Sequence, residues 1–97
     1  MQKELVMKMH GNKYTIEYLN TVIKEDIPNL QPTIKDMIQK AINERLTVDP
    51  IGFGKPLRYS LKGHRRLRVS DYRIIYRIEN NIVLIIAIKH RKDVYDE

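Results

Sequence analysis

The chain has no cysteine. That excludes disulfides, thiolate zinc sites and cysteine nucleophiles together, and it fits a reducing compartment such as the cytoplasm. No apolar run approaches the roughly 20 residues that a membrane-spanning helix needs. The opening segment MQKELVMKMHGN has no apolar h-region and does not read as a signal peptide. There are no internal repeats, low-complexity segments or linkers. Acidic residues are scarce in one half only. From Lys55 to Lys92 the sole carboxylates are Asp71 and Glu79, against eleven Lys/Arg. Asp71 falls in a turn and Glu79 stands alone, so that half offers neither a carboxylate pair nor a metal cluster.

What remains is a chain of 97 residues, 42% of them hydrophobic, enough for one domain with one core. Residues 1–12 are expected to be a flexible leader, with Met7 and Met9 suggesting an extended or alternative start, and residues 13–97 the single domain. The formal charge is +6, unevenly spread: residues 1–54 carry seven Lys/Arg and seven Asp/Glu. The excess belongs to the C-terminal half, where the cations fall on predicted strands. Strands concentrate charge in space, which points to a polyanionic partner.

Period and punctuation give the elements. KYTIEY, residues 13–18, alternates and is β-branched and aromatic, a first strand. Asn20 and Thr21 suit the N-cap of a short helix that Pro28 ends. Pro32 opens a second helix, with Thr33 and Asp36 in capping-box spacing. Ile34, Ile38, Ala41, Ile42 and Leu46 form one apolar stripe along it. The two helices are expected to form an antiparallel hairpin. DPIGFGKP, residues 49–56, reads as a loop; its glycines and lysine match neither phosphate-binding fingerprint. Strands are expected at 57–61, 65–69, 72–79 and 82–88, with turns at Lys62-Gly63, Ser70-Asp71 and Asn80-Asn81. IVLIIAI is apolar on both faces and belongs mid-sheet. The result is an α+β fold: a strand, a helical hairpin packed on one sheet face, then a four-strand antiparallel meander. Residues 89–95 are expected to leave the sheet in a helical turn.

GHRRLRVSDYRIIYRI, residues 63–78, carries five arginines. A two-residue turn at Ser70-Asp71 sets Val69 opposite Tyr72, Arg68 opposite Arg73 and Leu67 opposite Ile74. Leu67, Val69, Tyr72, Ile74, Tyr76 and Ile78 then face the core, while Arg66, Arg68, Arg73 and Arg77 share the other face. Like charges directly opposed cost stability, so the pair Arg68–Arg73 either has a use, which four cations on one face favour, or is tolerated as a solvated pair. Guanidinium forks match phosphate oxygens. At the next hairpin, a two-residue turn sets Arg73 opposite Ile88. A three-residue turn sets it opposite Lys89 and matches Ile74, Tyr76 and Ile78 with Ile88, Ile86 and Leu84. The second adds Lys89 to the cationic face and is preferred.

GKPLRYSLKGHRRLRVSDYRIIYRI followed by IAIKHRKDVY resembles the RelE/ParE superfamily of prokaryotic toxin–antitoxin toxins, on the RelE side, over residues 13–95. The resemblance implies a RelE-like fold and a cytoplasmic ribonuclease that enters the ribosomal A site and cuts mRNA. It also implies a cognate antitoxin as partner and no cofactor, metal or membrane. Carried over by position, the arginine of D-Y-R is Arg73, the basic residues of the preceding strand fall at His64, Arg66 and Arg68, and the tyrosine of D-V-Y is Tyr95. The basic residue ending the last strand is Lys89, with Arg91 two residues on. RNA cleavage through the 2′-hydroxyl needs a base, an acid and charge stabilisation. Arg73, Tyr95, Arg66, Lys89 and His90 form the expected catalytic set; Lys62, His64, Arg65, Arg68, Arg77 and Arg91 form the expected RNA-binding set. Arg73 suits the scissile phosphate. Tyr95 suits a base if nearby arginines favour its phenolate, and otherwise packs the tail. His64 or His90 suits acid or base near neutral pH. Two alternatives are a ParE-like, non-catalytic toxin acting on DNA gyrase and a generic basic nucleic-acid-binding domain.

Overall fold

The computed structural model describes residues 8–10, 13–58 and 61–93, the first three as backbone only. Among the described residues six strands form one sheet: β1 (Lys8–His10), β2 (Thr15–Tyr18), β3 (Lys55–Pro56), β4 (Arg65–Val69), β5 (Tyr72–Glu79) and β6 (Ile82–His90). Their order across the sheet is β1-β2-β6-β5-β4-β3. β6 is thus central, parallel to β2 and antiparallel to β5, which is why its sequence is apolar on both faces. Within the segment expected to be a flexible leader, Lys8–His10 pairs with β2 as an edge strand.

Between β2 and β3 the chain is helical. A π-helical turn, Val22–Asp26, closes with Ile27 N–H donating to Val22 O at 2.9 Å. Helix α1 (Pro32–Ala41) runs on as a π-helical stretch, Ile42–Leu46. The apolar stripe does as its spacing requires: Ile38, Ala41, Ile42 and Leu46 are buried with Ile16, Val22, Leu67, Ile74, Tyr76, Val83 and Ile85. The expected caps do not form. Thr21 has helical dihedrals and makes no side-chain capping bond, and the N-cap position of α1 falls to Gln31, ahead of the Thr33–Asp36 box and likewise without a side-chain bond.

The predicted loop at 49–56 holds real structure. Asp49 accepts a hydrogen bond from Gly52 N–H at 2.9 Å and starts helix α2 (Pro50–Phe53), and β3 follows at once. The strand expected at 57–61 is displaced: β3 is Lys55–Pro56, Leu57 N–H reaches His64 O at 3.0 Å, and Tyr59 and Ser60 lie outside the described residues. β6 also extends to His90 before a 3-10 turn at Arg91–Asp93, so Lys89 and His90 remain in the sheet.

The β4–β5 register is the expected one, with Val69↔Tyr72, Arg68↔Arg73 and Leu67↔Ile74. The β5–β6 register is a hybrid. Near the turn, Glu79↔Ile82, Ile78↔Val83 and Tyr76↔Ile85 follow the two-residue turn; beyond it, Ile75↔Ala87, Ile74↔Ile88 and Arg73↔Lys89 follow the three-residue one. A β-bulge between the two regions takes up the extra residue, Ile86. The expected matches Tyr76–Ile86 and Ile78–Leu84 are therefore wrong, while Arg73–Lys89 is right. Asn80, at φ 57°, supports the tight turn, because asparagine tolerates the left-handed region. The bulge lets a tight turn coexist with an Ile74–Ile88 core pair.

A candidate RNA-cleavage site on the arginine strands

Strand alternation places Arg66, Arg68 and Arg73 on the sheet face away from the helices, with Arg68 directly across from Arg73. That face is not open throughout. Arg66 and Arg73 are each only 6% exposed, whereas Arg68 is exposed. The Arg73 guanidinium folds back on the β4–β5 turn, where Nη1 donates to Tyr72 O at 3.0 Å and to Ser70 O at 3.3 Å. Such bonds fix the fork's direction.

The other predicted cations divide. Arg77 is held by Glu79, with Nη2 2.6 Å from Oε2, so it is locally neutralised. Lys89 pairs with Arg73 in the ladder, but its Nζ reaches Asp26 Oδ1 at 2.9 Å. The second oxygen of Asp26 accepts from Ile88 N–H at 2.9 Å, which fastens the Val22–Asp26 turn to the β6 edge beyond the end of β2. Sequence reasoning missed Asp26, since 62 residues separate it from Ile88 and no local pattern links them. Arg91 N–H donates to Asp71 O at 2.7 Å, and its side chain lies 3.8 Å from the Asp71 carboxylate. This ties the end of β6 to the β4–β5 turn, close to Arg73. Lys62 is exposed in the turn before β4.

Arg65 is not part of the cationic face. It pairs with Tyr76, on the helix side of the sheet, and its Nη2 donates to Ile51 O at 2.8 Å and Gly54 O at 3.2 Å. It clamps the end of α2. Beside it, the fully buried Tyr76 hydroxyl donates to Pro50 O at 2.5 Å. Burial pushes the Tyr76 phenol up, against the pull of the Arg65 guanidinium, so this tyrosine stays neutral and structural.

The histidines separate too. His90 pairs with Tyr72 and shares its face, opposite to that of Arg73 and Lys89; the two rings meet edge to face at 5.4 Å. That placement removes His90 from the Arg73 cluster. His64 precedes β4 by one residue, and its Nδ1 lies 3.2 Å from Leu61 O. Leu61 O can only accept, so in that contact Nδ1 is the donor. Tyr95 lies outside the described residues. Among the described residues, no three His, Asp or Glu side chains come together as a metal site, and no helix is long and apolar enough to cross a membrane.

The sequence model of the ParE toxin of type II toxin–antitoxin systems, parDE, matches residues 15–95. The chain belongs to the RelE/ParE toxin superfamily. It is 34% identical over 84 residues to Toxin RelG of Mycobacterium tuberculosis, a match covering 84% of this chain and 95% of RelG. Among solved structures, the chain is similar to the toxin–antitoxin complex RelBE2 of Mycobacterium tuberculosis, with TM-score 0.72 and 31% identity over 82% of this chain and 100% of that one. YafQ from E. coli shares the fold, with TM-score 0.53 and 20% identity over 81% of this chain and 94% of YafQ. The chain is thus a type II toxin of this superfamily, and its helical segments and sheet follow the superfamily fold.

Proposed function

We propose that this toxin is a RelE-type endoribonuclease that cuts mRNA on the ribosome, stops translation in a prokaryotic cytoplasm, and is restrained by a cognate antitoxin. The observation that carries the reading is Arg68 set directly across from Arg73, with Arg66 two residues along β4 on the same face. Opposed guanidiniums cost folding energy and become favourable once a phosphate lies between them. The 2′-hydroxyl attacks the adjacent phosphorus and the 5′-oxygen leaves, giving a 2′,3′-cyclic phosphate and a 5′-hydroxyl. Arg73 binds the scissile phosphate, with Arg66 and Arg68 spreading the charge that develops there. Tyr95 takes the 2′-hydroxyl proton, its phenolate favoured by the arginines, and His64 or Lys89 returns a proton to the 5′-oxygen. Neither metal nor cofactor enters this scheme. The likeness to RelG and to one chain of the RelBE2 toxin–antitoxin complex supports both the RelE-type activity and an antitoxin partner.

The match to the ParE toxin family supports a second reading, a non-catalytic toxin acting on DNA gyrase. Primer extension on a translated message, with purified toxin and ribosomes, separates the two. Discrete cuts in ribosome-bound mRNA are expected. Intact message alongside inhibited gyrase supercoiling would reverse the assignment.

A further inference from the structure

β3 is two residues long and pairs with β4 only at Arg65 and Arg66, so among the described residues Leu67–Val69 has no strand on its outer side. A groove runs along that edge. Arg45, Phe53, Lys55, Arg66, Leu67 and Arg68 line it, and it continues past Arg45 and Arg68 toward Lys40 and Met37. The cations here carry the charge of the arginine face round the rim of the sheet to the end of the helix. Among the described residues lining it, Glu44 is the one carboxylate.

Phe53 is the chain's only phenylalanine and is 51% exposed. Exposing it is not a consequence of looseness. α2 is held by Asp49 at Gly52 N–H, by Tyr76 at Pro50 O and by Arg65 at Ile51 O and Gly54 O. The ring is therefore presented on a fixed backbone beside the exposed cations Arg45, Lys55 and Arg68. An aromatic ring carried on a fixed backbone next to guanidinium forks is an arrangement that takes an unstacked base and its phosphates. An acidic amphipathic peptide would need a continuous apolar stripe. Here the exposed apolar side chains of the groove, Phe53 and Met37, line opposite ends with cations between them.

We propose that the β4-edge groove is a second RNA subsite, seating one unpaired nucleotide that flanks the cut, with its base on Phe53 and its phosphates on Arg45, Lys55 and Arg68. The proposal rests on the RNA-cleaving reading and adds to it a place for the strand beyond the scissile phosphate.

Fluorescence anisotropy with a labelled, short single-stranded RNA tests it. Phe53→Leu should weaken binding by roughly 5- to 100-fold with its salt dependence unchanged, and Phe53→Tyr should restore it. Arg45→Gln should lower the salt slope by about 0.7. Both side chains are exposed, so the variants should unfold at the parent's midpoint, which urea unfolding checks. If Phe53→Leu and Arg45→Gln bind like the parent while Arg68→Gln does not, the groove is not a subsite, although the nuclease reading stands. A parent that binds no oligonucleotide also overturns the subsite, whatever primer extension says of cleavage. So does an alternating Glu/Leu peptide that binds in a Phe53-dependent manner where RNA does not.

Discussion

Gly54→Ala probes how the site is held in place. Gly54 has an ordinary extended backbone, φ −101° and ψ 161°, so any residue fits its dihedrals. What excludes a side chain is space. A Cβ there would overlap the Tyr76 hydroxyl oxygen, fall 2.7 Å from Tyr76 Cζ and lie 3.2 Å from Arg66 O. Tyr76 is fully buried and its hydroxyl is committed to Pro50 O at 2.5 Å, so the ring cannot swing aside without breaking that bond. Overpacking costs about 1–3 kcal/mol. Stranding the buried hydroxyl and Pro50 carbonyl adds about 1–3 kcal/mol. Gly54→Ala should therefore destabilise by about 2–6 kcal/mol, a large share of a small domain's total. Urea unfolding reads this as a lower midpoint at unchanged slope. Tyr76→Phe alone should cost about 1–3 kcal/mol, and the double variant at least about 1 kcal/mol less than the sum, since the clashing oxygen is gone. Costs that simply add would refute the argument, because the clash would then not be with the hydroxyl. A loss below about 0.5 kcal/mol for Gly54→Ala would refute it outright.

The other expected outcomes bear on charge and chemistry. Asp26→Ala removes both bonds to β6 and should cost about 2–3 kcal/mol in denaturant unfolding; Asp26→Asn keeps the Ile88 bond and should cost about 1 kcal/mol or less, the exposed Lys89 pair being worth little. Burial raises the Tyr18 phenol to about 12, so its folded form holds the proton after the unfolded chain has lost it. Stability should be intact below about pH 10 and fall by up to about 3 kcal/mol between pH 10 and 12, a limb that Tyr18→Phe flattens in pH-dependent melting. Arg73→Ala should slow single-turnover cleavage roughly 100-fold or more, whereas Arg77→Ala, already paired to Glu79, should change mainly binding and its salt dependence. Equal small effects would remove that distinction. Tyr95→Phe should lower the cleavage rate roughly 10- to 1000-fold while melting stays unchanged; parental cleavage would make Tyr95 a packing residue.

Strands β4 and β5 were legible in the chain to the residue, because period-2 alternation and a two-residue turn leave a single register that buries Leu67, Val69, Ile74 and Tyr76 together. The helical stripe from Ile38 to Leu46 was equally legible from its 3.6-residue spacing. The superfamily was readable from LRVSDYRIIYRI and HRKDVY taken together, and the opposed Arg68–Arg73 pair from counting back across the turn. Tertiary structure alone decided how those arginines are dressed. Asp26 reaches Lys89 across 63 residues, Arg65 turns to the carbonyls of α2, and Arg66 and Arg73 lie buried. It also placed the bulge at Ile75/Tyr76 and set Phe53 at the rim of a cationic groove. Alternation tells which face a side chain leaves from, a property of a few neighbouring residues. Where a long, charged side chain ends depends on which distant carboxylate or carbonyl the fold brings within reach, and no local period carries that information.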